Sequence, residues 1–239
     1  MMTTATSVQT LSHPLLYLLA AAGCTLLESL PAFDKFAQKP FFQHGAWLIS
    51  KSFHGSHKLL LYTSPKIIIT CTGVAFLILI VVAFFAPSFK ERLHGWRKPA
   101  LLVLFSLALI PLAVAIFKAG SGVYSPVDLF PYGGKHPHIG FLGQFYAYGT
   151  LSGGRSFPAG HASGGFALMA LYYLPVRRTS KKLLLGLGLL AGWSMGIYQM
   201  ARGEHFLSHT LVTMFLALAI IAFLGRIILP ESSLPRMGV

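Results

Sequence analysis

Three short polar segments in an otherwise apolar chain carry residue types that are suited to phosphate chemistry. They are Lys118, residues 155–161 and residues 202–209. The lysine and the arginines of these segments can bind phosphate oxygens, and arginine does so through two parallel hydrogen bonds. Each segment lies at the end of a hydrophobic stretch that is long enough to cross a bilayer. Counting the crossings places all three segments on one face of the membrane, which predicts a shared site.

Residues 155–161 read Arg-Ser-Phe-Pro-Ala-Gly-His and predict the start of a helix. Pro158 favours the first helical position, because its missing N–H would be unpaired there. The unpaired amides at positions 159–161 would then attract an anion, helped by the helix dipole. Close packing between helices is an alternative reason for the glycines, but it does not explain the arginine and the histidine. The phosphate-binding residues predicted in this segment are Arg155, Ser156 and Gly160.

The third segment supplies two histidines one helical turn apart, His205 and His209. An imidazole can attack phosphorus if a neighbour fixes its tautomer and another group protonates the departing oxygen. His205 and His161 could divide these roles. Negative charge spreads over the phosphoryl oxygens in the transition state, and it needs nearby cations. The cations available on the same side are Lys118, Arg155 and Arg202.

The same histidines allow a second interpretation. His205 and His209 have the spacing of paired metal ligands, and His161 could complete a set of three. However, the surroundings are rich in glycine and arginine, which suits an anion better than a cation, and Glu204 is the only acidic residue close in sequence. We therefore expect a site that needs neither a metal nor another cofactor.

The composition indicates which class of protein positions these residues. The 239 residues are 54% hydrophobic and 10% charged, and the mean hydropathy is +0.66, which excludes an ordinary soluble domain. A helix needs about 20 apolar residues to span the hydrocarbon layer. We expect an all-α bundle of six transmembrane helices that forms a single domain over residues 1–239. The predicted crossings are residues 1–27, 67–86, 99–117, 156–176, 183–201 and 206–225.

Lysine and arginine concentrate in two short loops, residues 88–98 and 175–182, which should therefore be cytoplasmic. With six crossings, both termini are then inside and the three polar segments face outward. The net charge of +13 does not indicate nucleic-acid binding, because no basic helix or basic-aromatic surface accompanies it. Membrane topology and anionic lipid headgroups explain the charge. We expect an integral protein of a bacterial inner membrane that contacts lipids, binds no nucleic acid and needs no obligate protein partner.

Lys118, residues 158–161 and residues 203–208 resemble the three signature motifs of the type 2 phosphatidic acid phosphatase superfamily. The resemblance covers roughly residues 118–225. It implies a six-helix membrane phosphatase that acts on lipid phosphates or pyrophosphates, among them polyprenyl pyrophosphate and lipid A. It also implies that His205 is the nucleophile that forms a phosphohistidine, that His161 is the general acid and that Lys118 holds phosphate oxygens.

Four positions depart from the family pattern. Ser125 and Gln199 stand where arginines are usual, and Ala159 stands where a serine is usual. Arg202 lies on about the same helical face as Gln199 and could compensate for it. His209 occupies the position of an acidic residue that would hold the other ring nitrogen of the nucleophile. We count His209 among the catalytic residues for this reason.

The departures leave alternatives open. The protein could pass the phosphoryl group to another lipid instead of water, or it could bind lipid phosphate without cleaving it. Asp128, in the loop between the first two segments, could supply the missing carboxylate by folding back. A transporter is less consistent with the sequence, because it would need polar or broken segments in the middle of the crossings. The residues favour a metal-independent lipid phosphatase whose site opens at the extracytoplasmic face.

Overall fold

A computed structural model describes residues 13–49, 56–85, 91, 93–148 and 153–229 of the protein. This part of the chain is mostly helical, which confirms the predicted all-α class. A short antiparallel hairpin adds two strands, β1 (Phe42–Gln43) and β2 (Ala46–Trp47). In chain order the helices are α1 (Pro14–Glu28), α2 (Pro31–Gln38), α3 (Ser56–Lys58), α4 (Ser64–Phe85), α5 (His94–Ala119), α6 (Phe141–Tyr148), α7 (Gly160–Ala167), α8 (Arg178–Ala201) and α9 (Leu207–Ile228).

Four helical segments in the described ranges are long and apolar enough to cross a membrane, which is compatible with an integral membrane protein. One is Leu59–Phe85, in which a π-helical turn at Leu59–Thr63 leads into α4, and the others are α5, α8 and α9. A fifth candidate is the pair formed by α1 and α2, which is bent by 85°. The count of six crossings therefore stays a prediction.

The predicted fourth crossing, residues 156–176, differs in form from the four long helices. Its α-helix, α7, has 8 residues, and a 3-10 helix of 6 residues, Leu168–Tyr173, continues it. At the usual rise of the two helix types this segment extends about 24 Å, whereas the hydrocarbon core is about 30 Å thick. The predicted first crossing, residues 1–27, lies partly outside the described residues, and α1 has 15 residues.

The segment formed by α7 and its 3-10 continuation lies at the centre of the bundle, in contact with α5, α8 and α9. Phe166, Met169 and Ile221 are among the fully buried side chains of this core. By contrast, α4 buries only Pro65 and Ala83 among its 22 residues. A helix that is apolar on all sides and so exposed is suited to contact with lipid.

Small residues allow α8 to approach the central segment closely. A Cβ atom added to Gly165 would lie 2.5 Å from the backbone nitrogen of Gly192. A Cβ added to Gly188 would lie 2.5 Å from the backbone nitrogen of Met169. Neither distance is possible unless the backbone shifts. The glycines thus fix where α7 lies, and with it the position of His161 in its first turn.

One end of the bundle gathers the three polar segments. α5 and α8 end there, whereas α7 and α9 begin there. The N–H of Ala159 donates a hydrogen bond of 3.2 Å to the carbonyl of His209, which joins the start of α7 to the start of α9. A β-bridge between Gly122 and Gly154 connects the loop after α5 to the loop before α7. The three segments therefore lie at one end of the bundle, and the membrane face to which this end belongs stays a prediction.

Gly188→Ala is expected to destabilise the protein, because the new Cβ must displace the backbone at Met169. Gly186→Ala in the same helix is the matched control, since a Cβ there meets nothing within 4 Å. Overpacking of this kind costs about 1–3 kcal/mol, whereas alanine at an open helical position gains about 0.5–1 kcal/mol over glycine. Thermal unfolding of the detergent-solubilised variants measures the difference. Equal melting temperatures would contradict the close contact of α8 with the central segment.

Candidate active site

The structure brings Lys118, His161 and His205 together. The ring centroids of His161 and His205 are 6.0 Å apart. A Cβ added to Gly160 would lie 3.7 Å from Nζ of Lys118, so the lysine reaches the first turn of α7. Two imidazoles at this separation can both contact one phosphorus centre placed between them, and the ammonium group lies beside that position.

A chain of hydrogen bonds fixes the orientation and the tautomer of His205. The residue is 2% exposed, and its Nδ1 lies 3.1 Å from the hydroxyl oxygen of Ser156. That hydroxyl donates its single hydrogen to the carbonyl oxygen of Glu204. The serine oxygen must therefore accept from His205, so Nδ1 carries the proton. The other nitrogen, Nε2, keeps a lone pair and has no hydrogen-bond partner among the described residues.

The surroundings keep the His205 ring neutral. Burial lowers the pKa of His205 well below its ordinary value of 6.5, and the nearby His209 and Lys118 shift this pKa in the same direction. Burial has this effect because it disfavours the charged form of the imidazole. A neutral ring with a free lone pair is the form in which histidine acts as a nucleophile.

His209 lies beside His205 and beside a buried carboxyl group. Its ring centroid is 5.8 Å from that of His205. Its Nε2 lies 4.0 Å from Oε1 of Glu28 at the end of α1, and both side chains are fully buried. The other oxygen of Glu28 accepts a hydrogen bond of 2.7 Å from the backbone N–H of Phe141. The carboxylate that the structure places at His209 is therefore Glu28, whereas the sequence interpretation considered Asp128.

A second buried carboxylate, Asp34 of α2, binds the first turn of α9. It accepts hydrogen bonds from the backbone N–H of Ser208, at 3.1 Å, and from the Ser208 hydroxyl. An acidic group here satisfies an amide that has no partner within the helix and interacts favourably with the helix dipole. Sequence reasoning missed the roles of Glu28 and Asp34. One feature of the sequence could have indicated them. Two of the six acidic residues follow the first apolar stretch within a few residues.

The other predicted phosphate-binding residues lie in different surroundings. Arg202 is half-buried, and its guanidinium lies 5.6 Å from the ring centroid of Tyr198. Its charge is within electrostatic range of the His161 ring. Arg155 is exposed. The Ser156 hydroxyl, which the sequence assigns to phosphate, instead donates to the Glu204 carbonyl and lies 3.1 Å from Nδ1 of His205.

The start of α7 departs from the expectation. The sequence predicts a helix from near Pro158 with three free amides, but α7 begins at Gly160. The N–H of Ala159 donates to the carbonyl of His209, and the Ala159 carbonyl accepts a hydrogen bond of 3.2 Å from the hydroxyl of Thr213. The Ala159 amide is not available to an anion, because it ties α7 to α9. The prediction of a free amide is therefore wrong at this residue.

Aromatic rings cover the turn between α8 and α9. Gly203 has a positive φ of 73°, which glycine adopts without strain. A Cβ there would lie 2.5 Å from the ring of Trp47. Trp47 also packs against Phe42 and Tyr132, at centroid distances of 4.9 Å and 5.2 Å. This packing restricts the turn that carries His205.

The arrangement of the three histidines can be compared with that of a metal site. The ring centroids of His161 and His205 are 6.0 Å apart, and those of His205 and His209 are 5.8 Å apart. Within the described ranges, no group of three or more histidine, cysteine, aspartate or glutamate side chains is arranged to hold a metal ion. Ser156, His209 and Tyr62 are among the side chains beside His161 and His205.

Comparison with known proteins identifies a family. A family model for the PAP2 superfamily matches residues 99–231, which is more than half of the 239 residues. The match includes most of α5, all of α6 to α9 and the three polar segments, and it leaves out α1 to α4. No curated protein and no solved structure matches the chain. The carboxylates of Glu28 and Asp34 thus come from outside the matched segment.

Ser156→Ala is expected to free the tautomer of His205, because Nδ1 loses its hydrogen-bond acceptor. Nitrogen-15 NMR of protein with labelled histidine should show His205 protonated on Nδ1 in the wild type and a mixture of tautomers in the variant. Ser163→Ala is the control, since that hydroxyl bonds to the Gly160 carbonyl within α7, and it should leave the His205 signals unchanged. A wild-type His205 that carries its proton on Nε2 would contradict the assigned chain of hydrogen bonds.

Proposed function

The chain belongs to the PAP2 superfamily, and we propose that it is a membrane phosphatase that hydrolyses a lipid phosphate or pyrophosphate through a phosphohistidine. Membership in this superfamily supports phosphatase activity on phosphate esters. The proposed phosphohistidine is supported by the tautomer and the surroundings of the His205 ring. Its Nδ1 is bonded to Ser156, its Nε2 has no partner within the described segments, and its ring lies 6.0 Å from that of His161.

Attack by His205 begins the proposed reaction. The lone pair of Nε2 forms a bond to phosphorus, while the bond between phosphorus and the departing oxygen breaks. His161, in its protonated form, donates a proton to that oxygen. The oxygen leaves as the hydroxyl group of the lipid, or as a phosphate oxygen of the lipid monophosphate when the substrate is a pyrophosphate. Lys118 and Arg202 balance the negative charge on the phosphoryl oxygens. This half of the reaction ends with a phosphoryl group on Nε2 of His205.

Water completes the proposed reaction. A water molecule attacks the phosphorus, and His161, which is now neutral, accepts a proton from it. The bond between phosphorus and Nε2 breaks, and its electron pair returns to the His205 ring. Inorganic phosphate leaves, and both histidines regain their initial protonation states. The Ser156 hydroxyl accepts the Nδ1 hydrogen bond throughout, so the ring keeps one tautomer.

An apolar surface beside the site supports a lipid substrate. Tyr62 lies near the start of the long helix Leu59–Phe85, and its ring centroid is 5.4 Å from that of His161. A hydrocarbon chain that lies along this helix would present its phosphate to the histidines from the side. Such lateral entry suits a substrate that stays in the membrane. Apolar side chains of this helix that expose more than half of their surface include Leu59, Leu60, Ile67 and Ile68.

The basic residues of α5, α8 and α9 that lie away from the site support an extracytoplasmic opening, whereas the lysines of residues 31–66 would face outward and oppose it. Arg97 lies near the start of α5, Arg178 begins α8, and Arg226 lies in the last turn of α9. These positions are at the opposite ends of the same helices from Lys118 and His205. Lysine and arginine favour the cytoplasmic side of a membrane. The site would then open on the outer side of a plasma membrane, which is the inner membrane in a bacterium.

Release of inorganic phosphate from a panel of lipids tests the proposal. The panel contains polyprenyl pyrophosphate, lipid A, phosphatidylglycerol phosphate and phosphatidic acid, each with a chelator present. We expect release from at least one lipid, and we expect His205→Ala to reduce it by at least about 1,000-fold. His94→Ala, at an exposed position at the other end of α5, is the matched control and should keep full activity.

The same assay separates the alternatives. Unchanged release in a folded His205→Ala variant would reject the nucleophile assignment. Each reaction is repeated with an added acceptor lipid. Phosphorylation of that lipid in place of phosphate release would identify a phosphotransferase, since the phosphohistidine would then react with a lipid hydroxyl instead of water.

The pH profile of kcat/KM tests the charge state of His205. Only the neutral ring can attack, so activity falls as the pH drops through the pKa of His205. Because burial lowers this pKa, we expect the acid limb to lie below pH 6.5. Lys118 contributes to the lowering, so Lys118→Met should move the acid limb to higher pH. A wild-type acid limb at or above pH 6.5 would show that the ring is not held neutral in this way.

A further inference from the structure

Two buried carboxylates reach the site from outside the family segment. Glu28 and Asp34 belong to α1 and α2 and are fully buried, whereas the family match begins at residue 99. The whole chain contains six acidic residues, and two of them lie against the first turns of α9. Burial of a carboxylate is costly unless the group is paired. The partners of each carboxylate therefore indicate its role.

The partners of Asp34 show that it anchors α2 to α9. Both of its oxygens are bonded to Ser208, one to the backbone N–H and one to the hydroxyl. These bonds attach the N-terminal helix pair to the first turn of α9. Asp34 has a structural role that is complete without reference to the histidines.

The two carboxyl oxygens of Glu28 differ in their hydrogen bonding. Oε2 accepts the hydrogen bond from Phe141, which fixes the orientation of the carboxylate, but Oε1 has no hydrogen-bond partner among the described residues. Oε1 lies 4.0 Å from Nε2 of His209, which is equally buried and likewise unpartnered within the described part of the chain. Buried polar groups are nearly always paired. An imidazole with its hydrogen on Nε2 is the donor that Oε1 can accept from.

We infer that Glu28 is a positioning residue for the nucleophile and that it acts through His209. Its carboxylate accepts the hydrogen of His209 Nε2, which holds the His209 ring against the ring of His205. When the carboxyl group of Glu28 is ionised, its negative charge also offsets the positive charge that the His205 ring acquires when Nε2 bonds to phosphorus while Nδ1 keeps its hydrogen. The family pattern has an acidic residue at the position that His209 occupies in this chain. In this chain the charge comes instead from α1.

This inference rests on the proposed function, and phosphate release by the full-length protein tests it. Glu28→Gln keeps the shape of the side chain and removes its charge. We expect kcat to fall about 10- to 100-fold, as for other residues that orient a reacting group, while KM stays nearly unchanged because the fully buried Glu28 acts through His209. Asp34→Asn is the matched control. It should lower the melting temperature of the protein with a smaller effect on kcat.

The same substitutions made in a protein that carries His209→Asp distinguish a positioning role of Glu28 from a merely structural one. His209→Asp introduces a carboxylate next to Glu28, and two buried carboxylates repel each other. Adding Glu28→Gln removes this repulsion, because the amide can donate a hydrogen bond to the introduced carboxylate. Glu28→Gln should therefore lower kcat in the wild-type background and raise it in the His209→Asp background. Asp34→Asn should act in the same direction in both backgrounds.

A folded Glu28→Gln variant with wild-type kcat, or with lowered kcat in both backgrounds, would overturn the inference and leave the role of His205 intact. If Glu28→Gln does not fold, Glu28→Asp replaces it. That variant keeps the charge one methylene farther away, so it should lower kcat by a smaller factor than expected for Glu28→Gln, and wild-type kcat would again overturn the inference.

The nitrogen-15 signals of His209 provide a readout that does not depend on catalysis. They should show the proton on Nε2 in the wild type and a loss of that preference when Glu28 is changed. A wild-type His209 protonated on Nδ1 would overturn the inference, because Nε2 would then have no hydrogen to donate to the carboxylate of Glu28. If no lipid releases phosphate, the proposed function fails, and these signals still decide whether the contact exists.

Discussion

The hydrogen bond between Ser156 and His205 is the interaction on which the site depends. Its direction is set by the Glu204 carbonyl, which takes the only hydrogen of the serine hydroxyl. The proton of the imidazole is therefore held on Nδ1, and the lone pair is left on Nε2. Burial alone would keep the ring neutral but would not select the nitrogen that carries the lone pair. Burial and the serine together yield a neutral ring whose lone pair is on one defined nitrogen.

The rest of the fold keeps this bond in place. Ser156 precedes α7 and His205 precedes α9, so their separation depends on how these two helices are held. Glycine contacts fix α7 against α8, the Ala159 amide joins α7 to α9, and Asp34 anchors α9 to the N-terminal helix pair. Trp47 covers the turn before α9. These contacts join distant parts of the chain, so the geometry of the site belongs to the whole bundle and not to the motifs alone.

The convergence of the three polar segments could be predicted, because their residues form short local patterns at helix ends. The three segments with Lys118, His161 and His205 lie at one end of the bundle, as alternating helix directions require. No local pattern indicated that Glu28 approaches His209, since the two come from nearly opposite ends of the sequence. The all-helical class followed from composition. The start of α7 did not, because it depends on a backbone bond to α9, and the count of six crossings is still a prediction.

Trapping the phosphorylated protein tests the role of His205 most directly. The protein is mixed with a hydrolysable lipid labelled in its phosphate group, quenched in alkali within one turnover and mapped by mass spectrometry. If His205 is the nucleophile, the label is found on this residue, is lost in acid and is absent from His205→Ala. Label on His209, or turnover without any labelled histidine, would contradict the proposed mechanism.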